Sequence, residues 1–283
     1  MKRNQIYGTL KLFLSNKFAL VGFIILCFLF FLGFIGPIIW SGTIAGGLHP
    51  RYEEPSSQFF LGTDAMGKDI FTLLLVSIRE SLIIGFLGGT ITFFIGIAVG
   101  LVAGYNSGVI GEFFTAIANI ILIVPTWPIL VILASSVFKM TIPMMAIIIA
   151  AFSWSWSARA IRSQVKSLKE QGYIEVARVN GENAFEILIE EIVPNMFSYL
   201  SVFWVRMITS AIITEVGLEI IGLGPQGTTT LGLMVYWCQY YGALSLGAWW
   251  WILPPVLCLV STFLSLQMLT FGLDTIFNPR LRP

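Results

Sequence analysis

Residues able to do chemistry are few in this chain and widely scattered. There is one histidine, His49, in a polar loop, and three cysteines, Cys27, Cys238 and Cys258, far apart and without CxxC spacing. A zinc site or a disulfide framework needs clustered ligands, so neither is expected, and His49 reads as an ordinary loop residue. Residues 62–68, GTDAMGK, approach the GxxxxGK of a phosphate-binding loop. That loop needs Ser or Thr next, to hold magnesium, between a strand and a helix. Asp69 stands there instead and would repel phosphate. No ATP site, no metal and no cofactor are expected. What remains is three charges inside apolar stretches: Arg206, Glu215 and Glu219. The two carboxylates are four residues apart and share one helix face. Arg206, nine residues earlier, falls about half a turn out of phase with Glu215, so they are not expected to pair within the helix.

The elements that must position these groups follow from composition. Of 283 residues, 57% are hydrophobic and only 11% are charged, against roughly 25% charged in soluble domains. Such a chain lacks the polar surface that water demands, and facing lipid is the common solution. The net charge of +1 gives no global field directed at nucleic acid. A helix crosses a bilayer with about 20 apolar residues, because its backbone polar groups must be satisfied internally. Six such runs occur, at about 18–40, 81–104, 113–138, 142–158, 196–223 and 246–271. Pro125 and Pro128 predict a kink in the third. The first is too long for a secretory signal and precedes no small-residue cleavage site, so an uncleaved span is expected. Gly85 and Gly89, then Gly96, Gly100 and Gly104, recur every four residues and let another helix approach closely. Packing within the chain is the preferred reading over a homodimer face.

Six spans put both termini on one side. That side carries eleven basic residues: Lys2, Arg3, Lys11, Lys17, Arg159, Arg162, Lys166, Lys169, Arg178, Arg280 and Arg282. The other carries four: Arg51, Lys68, Arg79 and Lys139. Basic residues stay in the cytoplasm, so both termini are expected there. Tryptophans at Trp40, Trp154, Trp156 and Trp249–Trp251 fit interfacial belts.

Two polar segments are longer than plain connections require. The outer one covers about 41–80. The inner one, about 159–194, places Ile174, Ala177, Phe185, Leu188, Ile189 and Ile192 at three- and four-residue intervals. That pattern predicts amphipathic helices, split by Gly181 and ended near Pro194. Two short amphipathic helices at a cytoplasmic face suit a soluble partner.

The inner string YIEVARVNGENAFEILIEEIVPN, Tyr173 to Asn195, resembles the EAA loop of ATP-binding-cassette (ABC) importer permeases. The matching positions are Glu175, Ala177, Gly181, Ile192, Pro194 and Asn195, with Val176 where that family usually has alanine. The outer string FLGTDAMGKDIFTLLLVSIRESL is similar to the LGTDxxGRD…GARxSL signature of the dipeptide/oligopeptide (peptide/nickel/oligosaccharide) class. It keeps Leu61, Gly62, Thr63, Asp64, Gly67, Asp69, Arg79, Ser81 and Leu82. TEVGLEIIGLG, Thr214 to Gly224, resembles that class's TEAALSFLGLG, and NPRLR, Asn278 to Arg282, its DPRLR ending. Glu219 replaces the usual Ser and Lys68 the usual Arg.

The resemblance implies an all-α integral membrane protein of the type I ABC importer kind, with six transmembrane helices and cytoplasmic coupling helices. The expected organisation is a cytoplasmic segment 1–17, a first span 18–40, an outer loop 41–80, a five-helix permease core 81–272 containing the coupling loop 159–195, and a cytoplasmic tail 273–283. It further implies a cell-membrane permease with no ATPase site of its own. The implied partners are a second homologous permease, two ATPase subunits, an extracellular substrate-binding protein and the lipid bilayer. The cargo would be peptides or oligosaccharides, with a nickel complex as another possibility of the class. Glu215 and Glu219 either line the outer part of the pathway or hydrogen-bond to the first spans or to the 62–69 segment. A self-contained channel or secondary carrier would usually show internal inverted repeats, which are not found. A membrane-embedded enzyme would need clustered polar groups at membrane depth, and the spans offer only Arg206, Glu215 and Glu219.

Overall fold

The computed structural model describes residues 12–40 and 49–277, which are overwhelmingly helical. The expected basic residues Lys2, Arg3, Lys11, Arg280 and Arg282 lie outside the described residues, as do 41–48 of the outer loop and the 278–282 ending. The helices are α1 (Lys17–Ile39), α2 (Ile70–Tyr105), α3 (Val109–Ile123), α4 (Thr126–Ser136), α5 (Ile142–Lys169) and α6 (Gly172–Val179). A mixed helix, α7, follows as Ala184–Glu186, a wider π-type stretch Ile187–Ile192, and Val193–Asn195. Then come α8 (Phe197–Ile220), α9 (Leu231–Tyr240) and α10 (Trp249–Phe277).

Five of these, α1, α2, α5, α8 and α10, are each long and apolar enough to cross a membrane. The pair α3–α4 brings the number to six if it is taken as one passage. That pair corrects the expected single kinked helix at 113–138, because the chain turns by 82° between its halves. Pro125 explains the break. Val124, before it, is extended at φ −70° and ψ 130°, as a residue preceding proline prefers, and Pro125 itself offers no N–H. Pro128 then lies in the first turn of α4, where a missing N–H costs nothing.

Other boundaries also move. α2 starts at Ile70 rather than near 81, because Asp69 caps it by accepting the Phe71 and Thr72 amides at 3.3 and 3.1 Å. Its 36 residues extend ~54 Å at 1.5 Å per residue, well beyond a hydrocarbon core of about 30 Å. α5 likewise continues to Lys169, so the first third of the expected inner loop belongs to that helix. The helix α9 was not anticipated in the 224–245 region at all.

The glycine ladder is where the bundle closes. A Cβ at Gly85 or Gly89 would lie 2.1 Å from an Ile212 side-chain atom or 2.5 Å from the Ile208 Cα, both on α8. One at Gly96, Gly100 or Gly104 would collide with Ser157, Ala158 and Ile161, or Val165 of α5. The stripe therefore packs α2 against two helices of its own chain. Three apolar clusters result: α1, α8, α9 and α10 around the first part of α2; α5, α6, α7 and α8 around its end; and α4, α5 and α8 around Ile84.

Candidate functional site

The α6–α7 unit is built as a rigid projection from the end of α5. Ile174 and Ala177 of α6 and Ile187 and Ile192 of α7 are buried in one cluster with Ile161 and Val165 of α5. Between the helices, Gly181 takes φ +89°. The Glu182 amide donates to the Ala177 carbonyl at 3.2 Å and the Gly181 amide to Arg178 at 3.1 Å, a C-terminal cap that calls for a left-handed residue. Asn183 then opens α7 with a capping box. Its Oδ1 accepts the Phe185 and Glu186 amides at 3.0 Å, and Glu186 Oε2 accepts the Asn183 amide at 2.8 Å. Asn195 Nδ2 donates to the Glu191 carbonyl at 2.6 Å, and exposed Pro194 sits beside it.

The expected two-helix break at Gly181 is therefore present. Of the residues singled out there, Ala177 and Ile192 are buried and hold the unit together, Glu175, Gly181, Pro194 and Asn195 face outward, and Tyr173 is partly covered at 36% exposure. Burial pushes the Tyr173 phenol up from its ordinary range, with the Glu191 charge adding to it. Sequence periodicity did not reveal how much apolar surface stays open. Val176, Val179 and Phe185 are 60%, 83% and 71% exposed, a row left uncovered by the described residues.

At the opposite end of the bundle, residues 49–69 fold on themselves. Thr63 is completely buried; its hydroxyl donates to the Pro50 carbonyl at 2.7 Å and accepts the Glu53 amide at 2.8 Å. Asp64 Oδ1 accepts the Met66 and Lys68 amides, each at 2.8 Å. Burial pushes the Asp64 carboxyl up, against the opposing pull of those two amides and the Lys68 charge. Gly62 and Gly67 hold positive φ, and a Cβ on either would strike the Glu53 or His49 carbonyl oxygen. Arg79 pairs with the adjacent Glu80, and Leu61 packs against the core. The shared residues of the signature are thus occupied in shaping this cap and starting α2. Asp69 fills the helix N-terminus where a phosphate would otherwise sit.

Glu215 and Glu219 are both completely buried in α8, enclosed by α2 and α9. The nearest polar groups are the Ser81 and Thr230 hydroxyls and the Gly232 and Leu233 amides. No carboxylate oxygen of either residue meets a donor in hydrogen-bonding geometry among the described residues. A Cβ at Gly232 would lie 2.4 Å from Glu219 Oε2, so the fit is tight. Glu219→Gln, which keeps this shape, is expected to leave the solubilised protein monodisperse, with a thermal midpoint within about 2 °C of the parent. Glu219→Lys, which adds length and an unpaired buried charge, is expected not to accumulate as folded protein. Size-exclusion chromatography with thermal unfolding checks both.

The other face of α8 opens onto a cavity of about 870 Å³ between α4, α8 and α10. Arg206, Ser210, Ile213 and Thr214 line it from α8, Gln267, Thr270 and Asp274 from α10, and Trp127 from α4. As the phase of α8 predicts, Arg206 does not meet Glu215. It donates to Asp274 Oδ2 at 2.7 Å instead. Asp274 lies within α10, which runs to Phe277, and not in the expected tail 273–283; Gln267, Thr270 and Asp274 at three- and four-residue steps carry the helical signal. Among the described residues, no group of three or more His, Cys, Asp or Glu side chains is placed to hold a metal.

A glycine-laced bundle of membrane-crossing helices, capped at one end and carrying a packed two-helix projection at the other, defines a multi-pass membrane protein. Residues 96–283 match the family described as the binding-protein-dependent transport system inner membrane component, and the chain belongs to that family. Residues 6–55 match the N-terminal transmembrane domain of oligopeptide transport permease C. The dipeptide transport system permease protein DppC of Bacillus subtilis (strain 168) is 29% identical over 270 residues, covering 95% of this chain and 83% of that protein. The oligopeptide transport system permease protein OppC of the same organism is 30% identical over 275 residues, covering 95% and 88%. OppC of Mycobacterium bovis (strain ATCC BAA-935 / AF2122/97) is 26% identical over 274 residues, covering 95% and 93%. These relatives are permease components of transporters, not ATPases.

Proposed function

We propose that this chain forms half of the translocation pathway of an ATP-driven importer of short peptides. A second, homologous permease supplies the other half, two separate ATPase subunits hydrolyse ATP, and an extracellular binding protein delivers the peptide. The observation that carries this reading is the row Val176, Val179 and Phe185, held outward on a rigid unit whose other face is bolted to α5. Apolar side chains held open beyond a helix bundle suit a soluble partner, and a rigid lever transmits that partner's movement into α5 and α8. Relatives named for dipeptide and oligopeptide transport favour peptide over oligosaccharide or nickel complex as the cargo. The test is ATP-dependent uptake of labelled dipeptide into proteoliposomes holding the assembled complex, with co-purification of the ATPase subunits. Uptake without ATPase partners would overturn it, and uptake of oligosaccharide but not peptide would move the cargo.

In this reading the α6–α7 end is cytoplasmic, in the cell membrane. A cysteine replacing exposed Ser57, in a background without the three native cysteines, is expected to react with an impermeant thiol reagent outside intact cells. One replacing exposed Ser167 is expected to react only after the membrane is opened. The reverse pattern inverts the orientation. A lining role for the enclosed Glu215 and Glu219 requires Glu215→Gln and Glu219→Gln to assemble normally yet change transport rate or cargo preference. Parental transport by both, or failure of both to assemble, denies that role.

A further inference from the structure

We propose that Arg206 and Asp274 form a subsite for the two charged ends of a short peptide with free termini. The Arg206 guanidinium takes the carboxylate and the Asp274 carboxylate takes the ammonium. The inference deepens the permease reading above and rests on it.

The placement of this ion pair is unlike that of the other polar groups on α8. Glu215 and Glu219 are enclosed, and Ile208, Ala211 and Ile212 beside them are buried against neighbouring helices. Arg206 and Asp274 instead keep 50% and 36% of their side-chain surface open, inside a cavity of about 870 Å³. Packing does not cover this ion pair. It uses a single contact, from Arg206 Nη2 to Asp274 Oδ2. A guanidinium carries five N–H donors in a fixed fork suited to a carboxylate, so most of the donor capacity of Arg206 is unused among the described residues. The Ser210 and Thr214 side chains line the same wall, one and two turns further along α8, while Ile213, Phe271 and Trp127 supply apolar surface.

Charge balance gives the selectivity. A zwitterion leaving water needs fixed partners for both of its ends. If the Arg206–Asp274 contact opens and each residue takes one terminus, one ion pair becomes two and the cavity stays neutral before and after. A solute with a single charge would open the pair and leave one protein charge without a partner, which is expensive inside a span, and an uncharged solute gains nothing from opening it. A dipeptide is roughly 7 Å long when extended, so long side chains on facing helices can bridge it, and the cavity volume lies within the usual range for small-ligand pockets, about 300–1,000 Å³.

The experiment uses the full chain in its assembled transporter, reconstituted in proteoliposomes, with either Ser210→Cys or Ile213→Cys as reporter. The rate of N-ethylmaleimide modification is read at that position by mass spectrometry, so the native cysteines can stay. Millimolar dialanine is expected to slow modification at least fivefold, and N-acetyl-dialanine amide less than twofold. Arg206→Gln and Asp274→Asn, each added to the reporter chain, are expected to reduce dialanine protection below twofold. The proposal is overturned if the capped peptide protects as well as dialanine, or if protection survives in the R206Q/D274N double variant. It is equally overturned if neither reporter is protected while dialanine is still transported, the result expected were the second permease to fill this cavity. Absence of ATP-driven dialanine uptake by the unsubstituted transporter would instead remove short peptides as the cargo of the permease reading, and this subsite with them.

Discussion

Gly181→Trp is expected to lower recovery of ATPase subunits with the permease at least tenfold and to abolish peptide uptake, while the chain still inserts and stays monodisperse. The cause is local. Gly181 sits at φ +89°, and nothing lies within 4 Å of a Cβ added there, so no clash inside the chain is involved. The cost is in the backbone, where an L-residue in a left-handed conformation loses about 1–2 kcal/mol. The turn relieves that strain by changing the angle between α6 and α7. This breaks the Glu182–Ala177 bond and parts the exposed Val179 from Phe185. The indole also projects from the tip of the surface offered to the partner. Gly181→Ala carries the backbone cost without the bulk, and a smaller, roughly five- to tenfold loss of association is expected from about 1 kcal/mol of strain. Parental recovery of ATPase subunits with Gly181→Trp would refute docking at this turn.

The second large effect is expected from Gly89→Leu, and it falls on the fold. A Cβ at Gly89 would lie 2.5 Å from the Ile208 Cα and 2.6 Å from the Ile208 amide nitrogen. Both are backbone atoms, so no rotamer change relieves the collision and α2 must separate from α8. Overpacking of this kind costs ~1–3 kcal/mol or more, and the separation would also loosen α8 around the enclosed Glu215 and Glu219. The expected readout is a fall of roughly 2–12 °C in the thermal midpoint, or loss of the monodisperse peak. Gly88→Ala is the control: its Cβ would meet nothing closer than 3.4 Å, and parental stability is expected. Equal stability of Gly89→Leu and the parent would mean that α2 and α8 do not touch at this position.

Several features were legible from residue types because they depend only on neighbours in sequence. The apolar runs mark where helices cross lipid, since a bilayer leaves no other way to satisfy a backbone. Gly181 marks the break between α6 and α7, whereas the Asn183–Glu186 capping box that opens α7 came only from the structure. The four-residue glycine spacing announced that a helix comes close, but not that two different helices, α8 and α5, share the stripe. Within the third run, the prolines signalled a bend, yet its 82° size depends on what α4 packs against: Leu130 and Ala134 lie in a cluster with Ile84, Met145 and Ala211. α9 was missed because ten residues between two spans show no boundary signal as strong as a bilayer imposes.

The sequence by itself determined that the chain lives in a membrane, roughly where it crosses, and that a two-helix unit interrupts it after the fourth run. Hydrophobic transfer, proline geometry and glycine conformation act within a few residues, so their traces survive in the order of amino acids. Only the tertiary structure decided how α8 divides its charges. Glu215 and Glu219 turn inward against Ser81, Thr230 and Gly232, while Arg206 turns to the cavity and meets Asp274 across 68 residues. Helical phase separates Arg206 from Glu215 but does not say which side is enclosed. That is settled by α2 and α9 covering one face of α8, and by α4 and α10 standing off from the other.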